Sequence, residues 1–321
     1  QRHTPRVLGL RAASWAIASI GAGHRRRHCR QLLGDSDSYY DRAARHDAEL
    51  IDRAAFEEML LADSLSPLAV SEHVNEDLDR HGVARIPACL SRDTLTVLRS
   101  VCFEELQRAM DHATGYDDGD DLAHFSAVLG ASSMPEIDGA EEQRWDLRLP
   151  LEPCRDALRE LLNGPLGAAL DRIVGGEAEL HELAVVISAP GAVPQVVHSD
   201  ADWGEEASIF TAFVALQDID LEMGPTVFLR GTHTAEAHDS LAADGPRMLA
   251  SSDARAATLK AGDASLYDRR LLHAGGRNRA QVVRLLFYVT FRRAGALADV
   301  ENANSLRNEY RGQLRLSELR Q

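Results

Sequence analysis

The residues in this chain best suited to chemistry are His198 and Asp200, two positions apart in Val196-Val197-His198-Ser199-Asp200, together with the distant His273 and Arg284. On an extended backbone side chains alternate with period two, so His198 and Asp200 point the same way. A second imidazole from a distant strand, His273, completes two nitrogens and one carboxylate on one face of a metal ion. Such a set leaves coordination positions open and suits non-haem Fe(II) that must also hold a co-substrate and O₂. Taken singly, each piece is bland. A His-x-Asp triplet is common in a chain with 13 His and 50 acidic residues, and a lone His is more often packed than ligating. Arg284 is the odd one, because a charge amid Val282, Val283, Leu285, Leu286 and Phe287 is costly unless it meets an anion.

The elements that must position these residues follow from pattern. An N-terminal stretch, 35–65, carries apolar residues at broadly helical spacing amid many charges and reads as a helical extension on the surface. Ser66-Pro67 is a good helix start, with the helix running to Arg80 and ending at Gly82. Val83–Pro87 is a short strand, and Ser91 caps a longer helix to about His112. The acidic run Tyr116–Asp121 lacks the ligand alternation of a calcium loop, and 116–142 reads as a long loop of the kind used as a lid. Trp145–Leu149 alternates as a strand, with Arg144, Asp146 and Arg148 on one side. Residues 152–174 form one or two helices broken at Gly164-Pro165, and Glu177–Ser188 is a strand. The next strand carries Gln195–Asp200.

Beyond Asp200 the pattern is read as all β, with strands at Ser208–Leu216, Thr226–Leu229, Ala256–Lys260, Ala264–Tyr267 and Val282–Arg292. Many short strands, several apolar throughout, predict an α+β protein: a double-stranded β-helix (jelly-roll, cupin-like) core with helices packed outside. The tail, 296–321, is polar, with an amphipathic helix expected over Ser305–Leu319.

Composition limits the alternatives. With 321 residues, 45% hydrophobic and 26% charged, the chain can bury one sizeable core. A net charge of −15 argues against general nucleic-acid binding and for a soluble protein. No apolar run reaches the ~18 residues of a membrane span. Residues 1–34 hold seven arginines and no acid, the composition of an organelle transit peptide or of a disordered basic tail, so the expected compartment is cytoplasmic or organellar. The four cysteines show no CxxC spacing and read as reduced, with Cys89, Cys102 and Cys154 in apolar surroundings. No P-loop, nucleophile elbow or dinucleotide fingerprint is present.

Together the motifs are far more specific than any one alone. Gln195-x-x-His198-x-Asp200, Met223-Gly224-Pro225 leading to Gly231-Thr232-His233, Gly262-Asp263, then His273, Asn278 and Arg284 eleven residues after His273, resemble the phytanoyl-CoA dioxygenase-like family of Fe(II)/2-oxoglutarate oxygenases. The resemblance spans roughly residues 68–293, within an oxygenase domain expected at 66–295. It implies that His198, Asp200 and His273 bind Fe(II) and that Arg284 grips the far carboxylate of 2-oxoglutarate. It places Phe213 beside the co-substrate and Gln195 and Asn278 as shaping the site. Two departures stand out. A hydroxyl residue usual two positions after the distal His is Gly275 here, leaving Tyr267 or Thr258 to supply a co-substrate hydrogen bond. The usual Pro before Gly-Thr-His is Arg230.

The carboxylate at position 200 favours hydroxylation over halogenation. The expected partner is a small-molecule or lipid-like substrate contacted by Gln195, Trp203 and Arg148, with Trp145 and Arg144 nearby, and the expected co-products are succinate and CO₂. Two other readings of the scaffold are a non-catalytic metal-binding jelly roll and a cupin-type metal hydrolase or isomerase. Neither needs an anion clamp at Arg284.

Overall fold

The computed structural model describes residues 55–56, 58–59, 65–114, 129–130, 143–201, 207–296 and 306–321. Two β-sheets face each other. The larger has seven strands in the order β2-β9-β6-β11-β5-β4-β3: β2 Val83–Ile86, β3 Leu129–Gly130, β4 Arg144–Arg148, β5 Glu179–Ser188, β6 Ile209–Ala215, β9 Ala264–Asp268 and β11 Arg284–Arg292. The smaller has four in the order β1-β8-β7-β10: β1 Ser66–Pro67, β7 Thr226–Arg230, β8 Asp253–Ala256 and β10 His273–Gly275. All pairings are antiparallel except β1 with β8. This is the expected jelly roll, with six helices of the described residues outside it: α1 Val74–His81, α2 Arg92–Thr114, α3 Leu151–Asn163, α4 Pro165–Ile173, α5 Ala235–Ser251 and the single turn α6 Leu316–Leu319.

Strand β11 shows how the sequence divides the molecule. Its odd residues Leu285, Phe287, Val289 and Phe291 are buried in the main core with Leu158, Leu161 and Leu166 of α3 and α4, and with Leu98 and Cys102 of α2. Its even residues, Arg284, Leu286, Tyr288 and Thr290, lie on the opposite face. Register aligns them with Ser188, Val186, Ala184 and Glu182 of β5 and, for the last three, with Ala215, Phe213 and Thr211 of β6. Arg144 and Asp146 of β4 join the same rows opposite Ser188 and Val186. One face therefore builds the core by burial, at about 1.5–3 kcal/mol per large apolar side chain. The other presents polar groups toward the small sheet.

Several elements differ from the sequence reading. Ser66-Pro67 forms β1, pairing with Arg255 and Ala256, and the first helix begins only at Val74, although it ends at Gly82 as expected. Residues 195–200 are extended but make only an isolated bridge, His198 to His273, instead of a regular strand. The strand expected at 256–260 sits earlier, at β8. Helix α5 interrupts the stretch read as all β. Its Asp244-Gly245-Pro246 breaks it, with Asp244 at φ −159°, ψ 79° between two helical halves, and the first half is started by Thr234, whose hydroxyl accepts from the Ala237 amide. In the tail, Leu306, Leu316 and Leu319 are buried in the main core, while helix is confined to α6 and a 3₁₀ turn at Asn308–Tyr310.

The segment expected on the surface near the N-terminus contributes Phe56, fully buried with Val197, Leu272 and Ala274 behind the small sheet. The leader, the acidic run 116–121 and Trp203 lie outside the described residues. Cys89, Cys102 and Cys154 are free and buried, and among the described residues no helix is long and apolar enough to cross a membrane.

Candidate functional site

The structure brings His198, Asp200 and His273 together: one donor atom from each lies within 4.8 Å of the others. Each position has a local cause. His198 and His273 face one another across reciprocal backbone hydrogen bonds of 3.0 and 2.8 Å, and their rings sit 4.6 Å apart. The Asp200 amide donates to the Arg269 carbonyl, which fixes the end of the segment. Thr232, of the Gly-Thr-His motif, donates to the Leu229 carbonyl and accepts from the Leu272 amide, so its hydroxyl ties down the residue before His273.

The donors are in the right state for a cation. Nδ1 of His198 contacts the Val196 carbonyl at 2.7 Å and Nδ1 of His273 the Leu271 carbonyl at 2.9 Å. A carbonyl oxygen only accepts, so each Nδ1 carries the proton and each Nε2 presents its lone pair. Those Nε2 atoms lie 3.7 and 3.5 Å from the two oxygens of Asp200. Burial lowers His273 to about 4, against the opposing pull of Asp200, so its imidazole is neutral at neutral pH. Burial acts to raise Asp200 but is outweighed by His273, Arg269, His198 and the Tyr267 hydroxyl, which bring it to about 2. Two Nε2 lone pairs, on rings held through Nδ1, and one ionised carboxylate fit a divalent metal ion.

Beside this set lies a cavity of about 230 Å³. At one end is Arg284, 1% exposed. Its guanidinium donates to the Gly224 carbonyl and, at 3.0 Å, to Ser188 Oγ, while its Nε has no hydrogen-bond partner and no carboxylate among the described residues pairs with it. Burial first and the neighbouring Arg144 second push it well below the usual guanidinium range. A buried cation in that position fits the far carboxylate of a dicarboxylate co-substrate. Gly224 has φ 64°, and a Cβ there would meet the Arg277 carbonyl oxygen at 2.4 Å. Only glycine lets this turn close and aim its carbonyl at Arg284. Asn278 seals the same corner by donating to the Ser188 and Val282 carbonyls.

The sequence reading did not single out Arg144 as an anion-binding residue. Its guanidinium reaches from β4 to Gln195 Oε1 and to the Val193 and Gly276 carbonyls. It occupies the space a side chain at 275 would fill: a Cβ on Gly275 would lie 2.0 Å from Arg144 Nη1. Gly275 is thus the counterpart of Arg144, a pairing visible only once β4 is seen beside β5. Gln195 lines the cavity and accepts from Arg144 and the Gly275 amide. Phe213 lines it between Tyr267 and Tyr288. Tyr267 also lines it, but its hydroxyl donates to Asp200 at 2.5 Å. Arg148 is buried and is not among the residues lining the cavity, whereas Trp145 and Asp146 are. Asp146, Glu182, Thr211, Arg269 and Tyr288 complete the polar part of the lining, with Glu182 and Thr211 opposite Thr290, at the other end of β11 from Arg284.

A jelly roll with two imidazoles and a carboxylate at its mouth has the fold of the Fe/2-oxoglutarate oxygenases. The sequence model described as phytanoyl-CoA dioxygenase (PhyH) matches residues 78–285, and the chain belongs to that family. Among solved structures, AviO1 from Streptomyces viridochromogenes Tue57 is similar with a TM-score of 0.54 at 19% identity, over 73% of this chain and 99% of that one. The non-heme alpha ketoglutarate dependent carbocyclase SnoK from nogalamycin biosynthesis gives 0.53 at 20% identity, over 70% and 85%. No curated protein matches the chain.

Proposed function

We propose that this protein is an Fe(II)- and 2-oxoglutarate-dependent dioxygenase that hydroxylates an aliphatic C–H of a small polar molecule, with succinate and CO₂ as co-products. The observation that carries the reading is the coincidence, around one cavity, of the His198–Asp200–His273 set with a buried, carboxylate-free Arg284. A structural metal or a hydrolytic one needs no such clamp.

In this reading His198, Asp200 and His273 hold the metal, their backbone-anchored rings fixing direction. When bound, Fe(II) with 2-oxoglutarate and O₂ supplies the oxidising power. Arg284 and Arg144 receive the co-substrate's far carboxylate, and Gln195 keeps Arg144 aimed there. Val186, Phe213 and Leu286 form the apolar wall that keeps water from the middle of the cavity. Asp146, Glu182, Thr211 and Tyr288 make the remaining wall polar, and although they already hydrogen-bond one another or Thr290, such a wall suits a polar substrate better than an acyl chain.

The test is succinate formation from 2-oxoglutarate with Fe(II) under air, screened against polyols, amines and amino-acid derivatives beside fatty acids. His198→Ala and Asp200→Ala are expected to lose both turnover and metal retention. Normal turnover by Asp200→Ala would refute the assignment.

A further inference from the structure

We infer that Tyr267 and Arg269 form a brace that makes Asp200 a one-oxygen metal ligand, an inference that rests on the metal-site reading above. Asp200 lies on a segment without regular strand pairing, so its carboxylate needs support from elsewhere. Tyr267, near the end of β9, gives that support by donating to Oδ2 at 2.5 Å. The phenol cannot swing aside: it is fully buried, with ring centroids 5.2, 5.1 and 4.9 Å from those of Phe213, Phe228 and His273. Oδ2 is engaged, and Oδ1 remains for the metal.

Arg269, two residues on, supports the same residue through its backbone and places its side chain on the same cavity wall. Its carbonyl accepts from the Asp200 amide at 2.9 Å. Its guanidinium, 9% exposed for the residue as a whole, faces the cavity. That guanidinium is itself kept in place from behind. Its Nη2 lies 3.6 Å from Glu182 Oε1, Glu182 Oε2 accepts from Thr290 at 2.5 Å, and the Thr290 and Thr211 hydroxyls are 2.8 Å apart. The chain Thr211–Thr290–Glu182–Arg269 crosses three strands' worth of buried polar groups, an arrangement whose burial is costly unless it orients something. What it holds in place is the Arg269 guanidinium, which lines the same cavity as Asp200. A carboxylate with one oxygen held by a hydrogen bond does not close over the metal with both, and a coordination position stays available to the co-substrate.

The experiment is a Co(II) titration of the chelator-stripped protein, read by visible absorbance and by competition with a calibrated chelator. Tyr267→Phe keeps the ring and removes only the hydroxyl. It is expected to weaken Co(II) about 10- to 100-fold and to change the intensity of the visible band as Asp200 takes a second coordination mode. Glu182→Gln, which loosens Arg269 from behind, is expected to weaken Co(II) by a smaller factor with the same spectral change. Co(II) affinity within twofold of wild type and an unchanged spectrum in Tyr267→Phe overturn the brace. Should Tyr267→Phe fail to fold, Glu182→Gln decides by the same two readouts. The metal-site reading fails separately: there, the wild-type protein binds no Co(II), or His273→Ala binds it as tightly as wild type.

Discussion

At the scale of single residues, the corner of the cavity around Arg284 is a matter of two guanidiniums and one missing side chain. Arg284 lies buried near Arg144, and Gly275 leaves the room Arg144 fills. Arg284→Gln is expected to raise the 2-oxoglutarate KM roughly 100-fold, the scale of losing a buried charge contact, while Co(II) affinity stays near wild type. Gly275→Ser, which restores the hydroxyl usual at that position, is expected to raise the same KM about tenfold by colliding with Arg144. Adding Arg144→Ala to Gly275→Ser should recover part of the loss, a non-additivity that steady-state kinetics on the three variants would measure.

The same scale shows what the sequence made legible. His198, Asp200, His273 and Arg284 were readable because types and spacings recur as a motif. Arg144 was not readable as a partner of Gly275, because nothing local says that β4 will lie beside β5. Tyr267 was read toward the co-substrate, since its line of approach to Asp200 exists only in three dimensions.

At the scale of elements, β11 was legible as an apolar run over Val282–Arg292, and Gly164-Pro165 marked the break between α3 and α4. Helix α5 was hidden by its Asp244-Gly245-Pro246 break, which leaves two short helical halves held by packing: Leu249 is buried, and Met248 and Leu241 pack on the cluster around Val197 and Leu272. Strand β1 was hidden for the opposite reason, since Ser-Pro is a good helix start and only the edge of β8 makes it a strand. The helices on the outer face serve stability without touching the cavity. Leu158→Ala in α3, at a fully buried position, is expected to cost about 2–5 kcal/mol of stability. Denaturant unfolding should show that loss while Co(II) affinity remains unchanged.

At the scale of the whole molecule, burial keeps two imidazoles from protonating. His181 and His273 are both lowered to about 4, chiefly by burial, from 6.5. Between those values the unfolded chain takes up protons that the folded chain refuses. Stability is therefore full above pH 6.5 and declines as the pH falls toward 4, by up to ~3 kcal/mol for each residue. Melting temperatures of the chelator-stripped protein at pH 7, 5.5 and 4.5 should fall in that order, and His181→Asn should flatten the trend.

Strand β11 carries the main core on its odd residues and the cavity floor on its even ones. Evolution of this chain is consequently partitioned. A change of backbone register or bulk in β11 disturbs solubility, folding and co-substrate capture at one stroke, so that strand is closed to drift. Asp146 stands on β4, toward the margin of the same sheet, and meets β11 through the Tyr288 hydroxyl, so a new side chain there would reshape the lining by way of that contact. Selection for a new substrate would therefore enter through β4 first.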